Sequence, residues 1–525
     1  MVLLSRGRRA LATYLALLLC YVSFNLFLVQ TLYIHHDEGW YLYASQLVYR
    51  GKLPYLDFAY FQSPLLPYVY GLFQYLTGPS VLVGRLTSLT LNLGLATFTI
   101  LIARRLGGNL AAIIALLCLG TSADFMRVGS YANNVILSAF LAVLGTWWLL
   151  RDWAKQSTQV MATGCWSLAV LARLSLGLGL ALVVGFILWH HRYRLIDAWT
   201  AVVTPNLILL AGLGSFAIMN FDRAHFNLFA AQLGRRHQVD WVVNPTSGVS
   251  RLELALGSFL FYTSALLIIS LLGSVLLWNT FGSSLQRLNN TQHSRRLVVL
   301  IALLIPVVYL PNILPGDLYP TYLASPYAFA CILAGWLVAK INQEKRLPRQ
   351  ALVGVAGLAI ALAALISVIY LSIIISWQNP GLQQLQTLSD YVKSITTPSD
   401  RLFTFETALA ANTGRPVTPG TAMSYFSYFP KFSTDQATRY QVVNEDLLSD
   451  QLTRREAELV LLTDFDVHLI RNPANSSRTE PVALTQAQLF TLFPELKGGY
   501  YLAKTTANYS EWNNHLYIFR LNKED

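Results

Sequence analysis

Apolar runs long enough to cross a membrane recur along the first 376 residues, and no other feature constrains the fold as strongly. A spanning helix needs about 20 consecutive apolar residues. The first such run is ALATYLALLLCYVSFNLFLVQTLYI, residues 10–34. Only 12% of the chain is charged, about half the usual share of a soluble protein. We therefore expect an α-helical multi-pass membrane protein. Spans are expected near 10–34, 79–103, 109–123, 131–150, 158–171, 174–189, 197–219, 252–278, 297–313, 318–339 and 351–376. The short pair 158–171 and 174–189 reads as a hairpin bent at Arg173.

Charge orients this expected set of about eleven spans. Residues 1–376 carry 25 Lys and Arg against 11 Asp and Glu, and residues 377–525 carry 13 against 16. Cytoplasmic connections favour Lys and Arg. Arg6, Arg8 and Arg9 precede the first span, and alternate connections are basic; together these hold 16 of the 25 cations. The N-terminus is accordingly expected in the cytoplasm. The net charge of +11 does not indicate nucleic acid, because the cations lie between apolar runs. After SWQNPG (376–381) the long apolar runs stop, so 377–525 is expected to be a soluble, outward-facing domain. Its helix-like segments 384–397 and 484–493, with strand-like 401–405, 458–465, 499–505 and 515–521, suggest a small mixed α/β unit.

The polar tetrad His35-His36-Asp37-Glu38 closes the first span. Acids in a first turn complement the positive end of a helix, so 37–50 reads as a helix. Trp40, Tyr41, Tyr43 and Tyr49 suit a membrane–water boundary, and 65–78 reads as a second interfacial helix too short to cross. Asp37 has two readings on this chemistry. It is a general base beside a polar cavity, or it is a helix N-cap. The tetrad contains metal-binding residue types, yet four adjacent residues cannot all face one point on a regular backbone. No metal is therefore expected to be required.

The run DEGWYLYASQLVYRGKLPYLDFAYFQSPLLPYVYGLFQYLTGPSVLVGRLTS (37–88) resembles the first outer loop of GT-C glycosyltransferases. The likeness is to bacterial relatives of protein O-mannosyltransferases and of the lipid A aminoarabinose transferase. LYPTYLASPYAFACILAGW (318–336) and the tail segment 389–420 are similar to that group as well. The resemblance implies a GT-C-like membrane domain over 1–376 and an inverting transfer of a sugar from a polyprenyl-phosphate carrier outside the cytoplasmic membrane. The acceptor would be a lipid, a glycan or a protein. Asp37 matches the family's catalytic Asp and Glu38 its neighbouring acid, which orients groups. Arg127, Arg173, Arg235, Arg236 and His237 are candidates for the donor phosphate, since Arg grips phosphate with paired hydrogen bonds. Asp57, Tyr60, Gln62, Asp317, Tyr319 and Tyr322 are candidates for the cavity wall. One departure stands out: Gln62-Ser63-Pro64 replaces the Glu-Lys-Pro of the lipid A branch, so a phosphate-contacting Lys is missing. The alternative reading is a transporter or flippase for a lipid-linked saccharide. Such proteins often carry internal repeats and mid-depth broken helices, and neither is visible in the sequence.

Overall fold

A computed structural model describes residues 2–234, 292–313, 320–343, 348–376, 381–471 and 483–523. Helix α1 (Val2–Thr31) leads through a short extended link into α2 (His36–Tyr49). Then follow α3 (Leu65–Thr77), α4 (Val81–Gly120), α5 (Ala123–Val128), α6 (Asn134–Arg151), α7 (Gln156–Ala172) and α8 (Gly177–His190). The later membrane portion contains the helices Gln292–Ile313, Ala324–Gln343 and Arg349–Ser376.

Among the described residues, six helices are long and apolar enough to cross a membrane, not about eleven. They cover Ala12–Thr31, Val81–Gly120, Asn134–Arg151, Leu195–Met219, Ala324–Gln343 and Gln350–Ile373. The discrepancy has particular causes. The expected 79–103 and 109–123 fall in two helical stretches that run into each other across a kink at Gly108, whose φ of 75° is left-handed, and so form one continuous segment, Val81–Gly120. The expected 158–171 lies in the 17-residue α7, and 174–189 and 297–313 fall in apolar segments shorter than a span. Segment 252–278 lies outside the described residues. The chain remains a multi-pass helical membrane protein.

Close approach of helices organises the core. Ala324–Gln343 packs along α4, where a side chain at Gly335 would collide with the Ala111 backbone. The interfacial expectation divides between α2 and α3. Helix α3 exposes Tyr68, Leu72, Phe73, Tyr75 and Leu76, an apolar face of the kind that sits at a boundary. Helix α2 does not: Trp40, Tyr41 and Tyr43 are buried. They fill an interior because the C-terminal portion covers them.

That portion holds a four-stranded sheet of β1 (Leu402–Thr404), β2 (Leu459–Thr463), β3 (Tyr500–Tyr509) and β4 (Asn514–Leu521), in the order β1-β2-β4-β3. β1 and β2 are parallel, with Leu402 opposite Leu459, and the other pairings are antiparallel. The helix Thr407–Thr413 docks on α2. Gly39 permits this contact, since a Cβ there would lie 2.8 Å from the Thr407 carbonyl carbon. Polar links fasten the seam: Gln46 Nε2 donates to Ala411 O (2.6 Å), Arg50 to Gly414 O (2.9 Å), and Val417 N to the Tyr43 hydroxyl (2.9 Å). Asp37 and the C-terminal portion therefore share one face of the protein.

Candidate active site

The tetrad 35–38 forms the site's frame. His35 caps α2: its Nδ1 accepts from Asp37 N (3.2 Å) while Glu38 Oε2 accepts from His35 N (3.2 Å). This is a reciprocal capping box with histidine in the usual hydroxyl role. Asp37 is thus not the N-cap, and the cap reading of its carboxylate falls. Its side chain is 29% exposed, and Oδ1 accepts from Trp40 Nε1 (3.0 Å) and lies 3.3 Å from His36 Nε2. Burial, followed by the charges of His36, Arg127 and Arg85, holds the His35 imidazole well below the usual histidine range. His35 is therefore neutral, and because Nδ1 accepts, its proton sits on Nε2.

Glu38 turns the other way and is completely buried. Its two oxygens take Arg85 Nε (2.8 Å) and Nη2 (2.7 Å) in a bidentate pair. Arg85 also donates to the carbonyls of Val29 (2.8 Å), Leu32 (3.1 Å) and Tyr33 (2.6 Å), which ties α4 to the end of α1 and the start of α2. Both Glu38 oxygens are engaged, which suits an orienting role. Arg85 was not among the sequence candidates, although it lies in GRLTS (84–88), at the end of the run that carries the resemblance.

The arginines gather beside this frame. Arg127, on α5, donates to Asp124 Oδ1 (3.2 Å) and to the Tyr33 hydroxyl (2.8 Å) and is mostly buried. Arg173 occupies the kink between α7 and α8. It donates to Ser175 Oγ (3.1 Å) and stacks on the Tyr322 ring at 4.3 Å, a desolvated cation–π contact. Asp37, Tyr41, Tyr131 and Tyr322 lie within its electrostatic reach. The His35 ring stacks on Tyr131 at 4.4 Å. One carboxylate, two buried guanidiniums and a set of tyrosines therefore lie close to one another.

The remaining candidates divide. Tyr60 is fully buried against Trp40, and Gln62 Oε1 accepts from Asn134 Nδ2 (2.9 Å) at the start of α6. Asp57 is exposed, and its Oδ2 closes a turn by accepting from Leu53 N (2.7 Å). Arg235, Arg236, His237, Asp317 and Tyr319 lie outside the described residues. Three residues of the tetrad converge while the fourth, Glu38, turns away. Ligand atoms of His35, His36 and Asp37 lie within 4.8 Å of one another and could hold a metal ion. His35 Nδ1 is already engaged by the cap, and Nε2 carries the ring proton beside Glu511, so His35 would have to shed or shift that proton to ligate a metal. Sequence reasoning missed Glu511 and Trp512 at the β3–β4 turn: Glu511 Oε1 contacts His36 Nδ1, and Trp512 stacks on His36 at 5.0 Å.

No protein-family model matches the sequence, and no curated protein matches it. Among solved structures, ArnT from Cupriavidus metallidurans in the apo state aligns over 99% of this chain and 98% of its own, at 13% identity and a TM-score of 0.56. The same protein bound to undecaprenyl phosphate aligns over 98% of each chain, at 12% identity and a TM-score of 0.54. Over nearly its whole length, this chain has the fold of ArnT.

Proposed function

We propose that the protein is an inverting glycosyltransferase that moves a sugar from a polyprenyl-phosphate carrier to an acceptor on the outer side of the cytoplasmic membrane. The observation that carries this reading is a partly exposed Asp37, oriented by Trp40 and placed beside the buried cations Arg127 and Arg173. Asp37 Oδ2 takes the acceptor proton. The acceptor oxygen bonds to the anomeric carbon from the face opposite the carrier. The carbon–oxygen bond to the phosphate then breaks, and polyprenyl phosphate leaves with the electron pair. Arg127 and Arg173 offset the charge that grows on it. ArnT with undecaprenyl phosphate bound supports the carrier class. Residues 1–376 form the catalytic membrane domain in this reading, and 377–525 face outward over the site.

The test is genetic and chemical. Deleting the gene should remove one species from the glycolipids or envelope glycans detected by mass spectrometry. Wild-type protein should restore it, and Asp37→Asn, present in the membrane at the same level, should not. Restoration by Asp37→Asn would overturn the assignment and favour a transporter, which has no use for a base.

A further inference from the structure

The turn joining β3 to β4 reaches the surroundings of Asp37 from almost 475 residues away. Glu511 Oε1 accepts from both the Nδ1 and the backbone N of His36, the latter at 3.2 Å. Its Oε2 lies 3.6 Å from His35 Nε2. The His36 ring lies between two flat groups, His35 at 4.4 Å and Trp512 at 5.0 Å, tilted from them by 25° and 19°. Trp512 is itself backed by Phe465 at 4.5 Å. With one ring nitrogen tied to Glu511, the other points at Asp37 Oδ1, 3.3 Å away. Trp40 holds the same oxygen. Among the described residues, no hydrogen bond reaches Oδ2. The turn holds Asn508, Ser510 and Asn513 at φ of 55°, 60° and 57°. This left-handed backbone is costly for residues other than glycine and clusters at functional sites.

Taking the transferase reading as its basis, we propose that Glu511 and His36 are positioning residues of the catalytic centre. Glu511 fixes the His36 ring. His36, together with Trp40, fixes Oδ1 of Asp37, so that Oδ2 faces the acceptor hydroxyl. The C-terminal portion thereby completes the site. The ring carries a proton on each nitrogen, one toward each carboxylate. His36 neither gains nor loses a proton during transfer: the acceptor proton goes to Oδ2, and the leaving group departs as polyprenyl phosphate. The groups facing the ring are Asp37 and Glu511, neutral His35, and the rings of Tyr425, Phe426 and Trp512.

The test uses full-length protein in lipid nanodiscs with 15N-labelled histidine, His36→Gln supplying the assignment. Glu511→Gln should move the His36 ring 15N resonances, because Nδ1 loses its partner. It should also lower kcat for release of polyprenyl phosphate from synthetic polyprenyl-phosphate mannose by about 10- to 100-fold. An envelope lipid extract serves as acceptor, and KM for the donor should be unchanged. Glu511→Asp should recover part of the rate. Unmoved His36 resonances or an unchanged kcat in Glu511→Gln overturns the proposal. So does stoichiometric Zn2+ that perturbs His35 and His36 together and raises activity, since the cluster is then a metal centre. Moved His36 resonances with no turnover of any polyprenyl-phosphate sugar by wild-type protein overturn the transferase reading instead, and leave the Glu511–His36–Asp37 contact in place.

Discussion

Replacing Arg85 with Met should do more damage than any other single change to the frame of the site. All five N–H groups of Arg85 are used: two on Glu38 and three on carbonyls of Val29, Leu32 and Tyr33. Both partners of the ion pair are completely buried. Breaking such a pair from one side costs about 3–5 kcal/mol, because the surviving charge is left in low dielectric. The orphaned carbonyls at the end of α1 push the cost toward the top of that range. A domain is stable by only about 5–15 kcal/mol, so the loss is a large share. Glu38→Met should be similarly harmful. The double variant should be less harmful than Arg85→Met alone by about 2 kcal/mol, since no bare charge remains. Tryptophan fluorescence during SDS titration of protein in mixed micelles reads these differences. Amide exchange across 35–38 should rise in Arg85→Met as the capping box loosens. A loss below about 1 kcal/mol for Arg85→Met, or strict additivity in the double variant, would refute the reasoning.

Two further predictions concern the C-terminal portion. Asp466 and Glu406 are buried near each other, and burial raises both carboxyls, Asp466 to about 7. A carboxyl raised in the folded state stabilises the fold below its unfolded pKa and loses that contribution as pH rises through the folded value. Thermal stability should therefore fall between about pH 4 and pH 7. Asp466→Asn, which can keep the bonds from Thr463, should flatten that slope in differential scanning fluorimetry; an equally steep slope in the variant would contradict the assignment. Gly39→Ala should force apart α2 and the helix Thr407–Thr413 at a cost of about 1–3 kcal/mol. Limited proteolysis should then release the C-terminal portion faster, and an unchanged rate would show that the contact is not tight.

Much of the local structure was readable because periodicity reports it. Helices 37–50 and 65–78 and all four strands fall where apolar spacing places them. The span count was not readable, because apolar runs do not mark helix ends. Val81–Gly120 is two helical stretches joined without a loop at the Gly108 kink, and α7 and α8 are apolar yet short. The aromatic residues of α2 were misread because a boundary residue and a core residue have the same composition; Trp40 is packed by Tyr60 and Phe426, and the Tyr43 hydroxyl is held by Val417 N, contacts that come from other parts of the chain. The two readings of Asp37 could not be separated from residue types either. Histidine is an uncommon cap, and the structure shows that His35 takes that place. Arg85 was visible as a lone cation in an apolar run, but its partner Glu38 was not. Glu511 carried no local signal at all, since its meaning comes from a contact with a residue 475 positions earlier.

The claim beneath the account is that the Asp37 carboxylate removes the acceptor proton in a sugar transfer from polyprenyl phosphate. The direct measurement is single-turnover transfer by purified protein in liposomes, with the anomeric configuration of the product read by NMR. Wild-type protein should yield product of inverted configuration. Asp37→Asn should still bind the donor lipid but lose about 10²–10⁴-fold in rate. Wild-type turnover by Asp37→Asn, or product of retained configuration, would contradict the account.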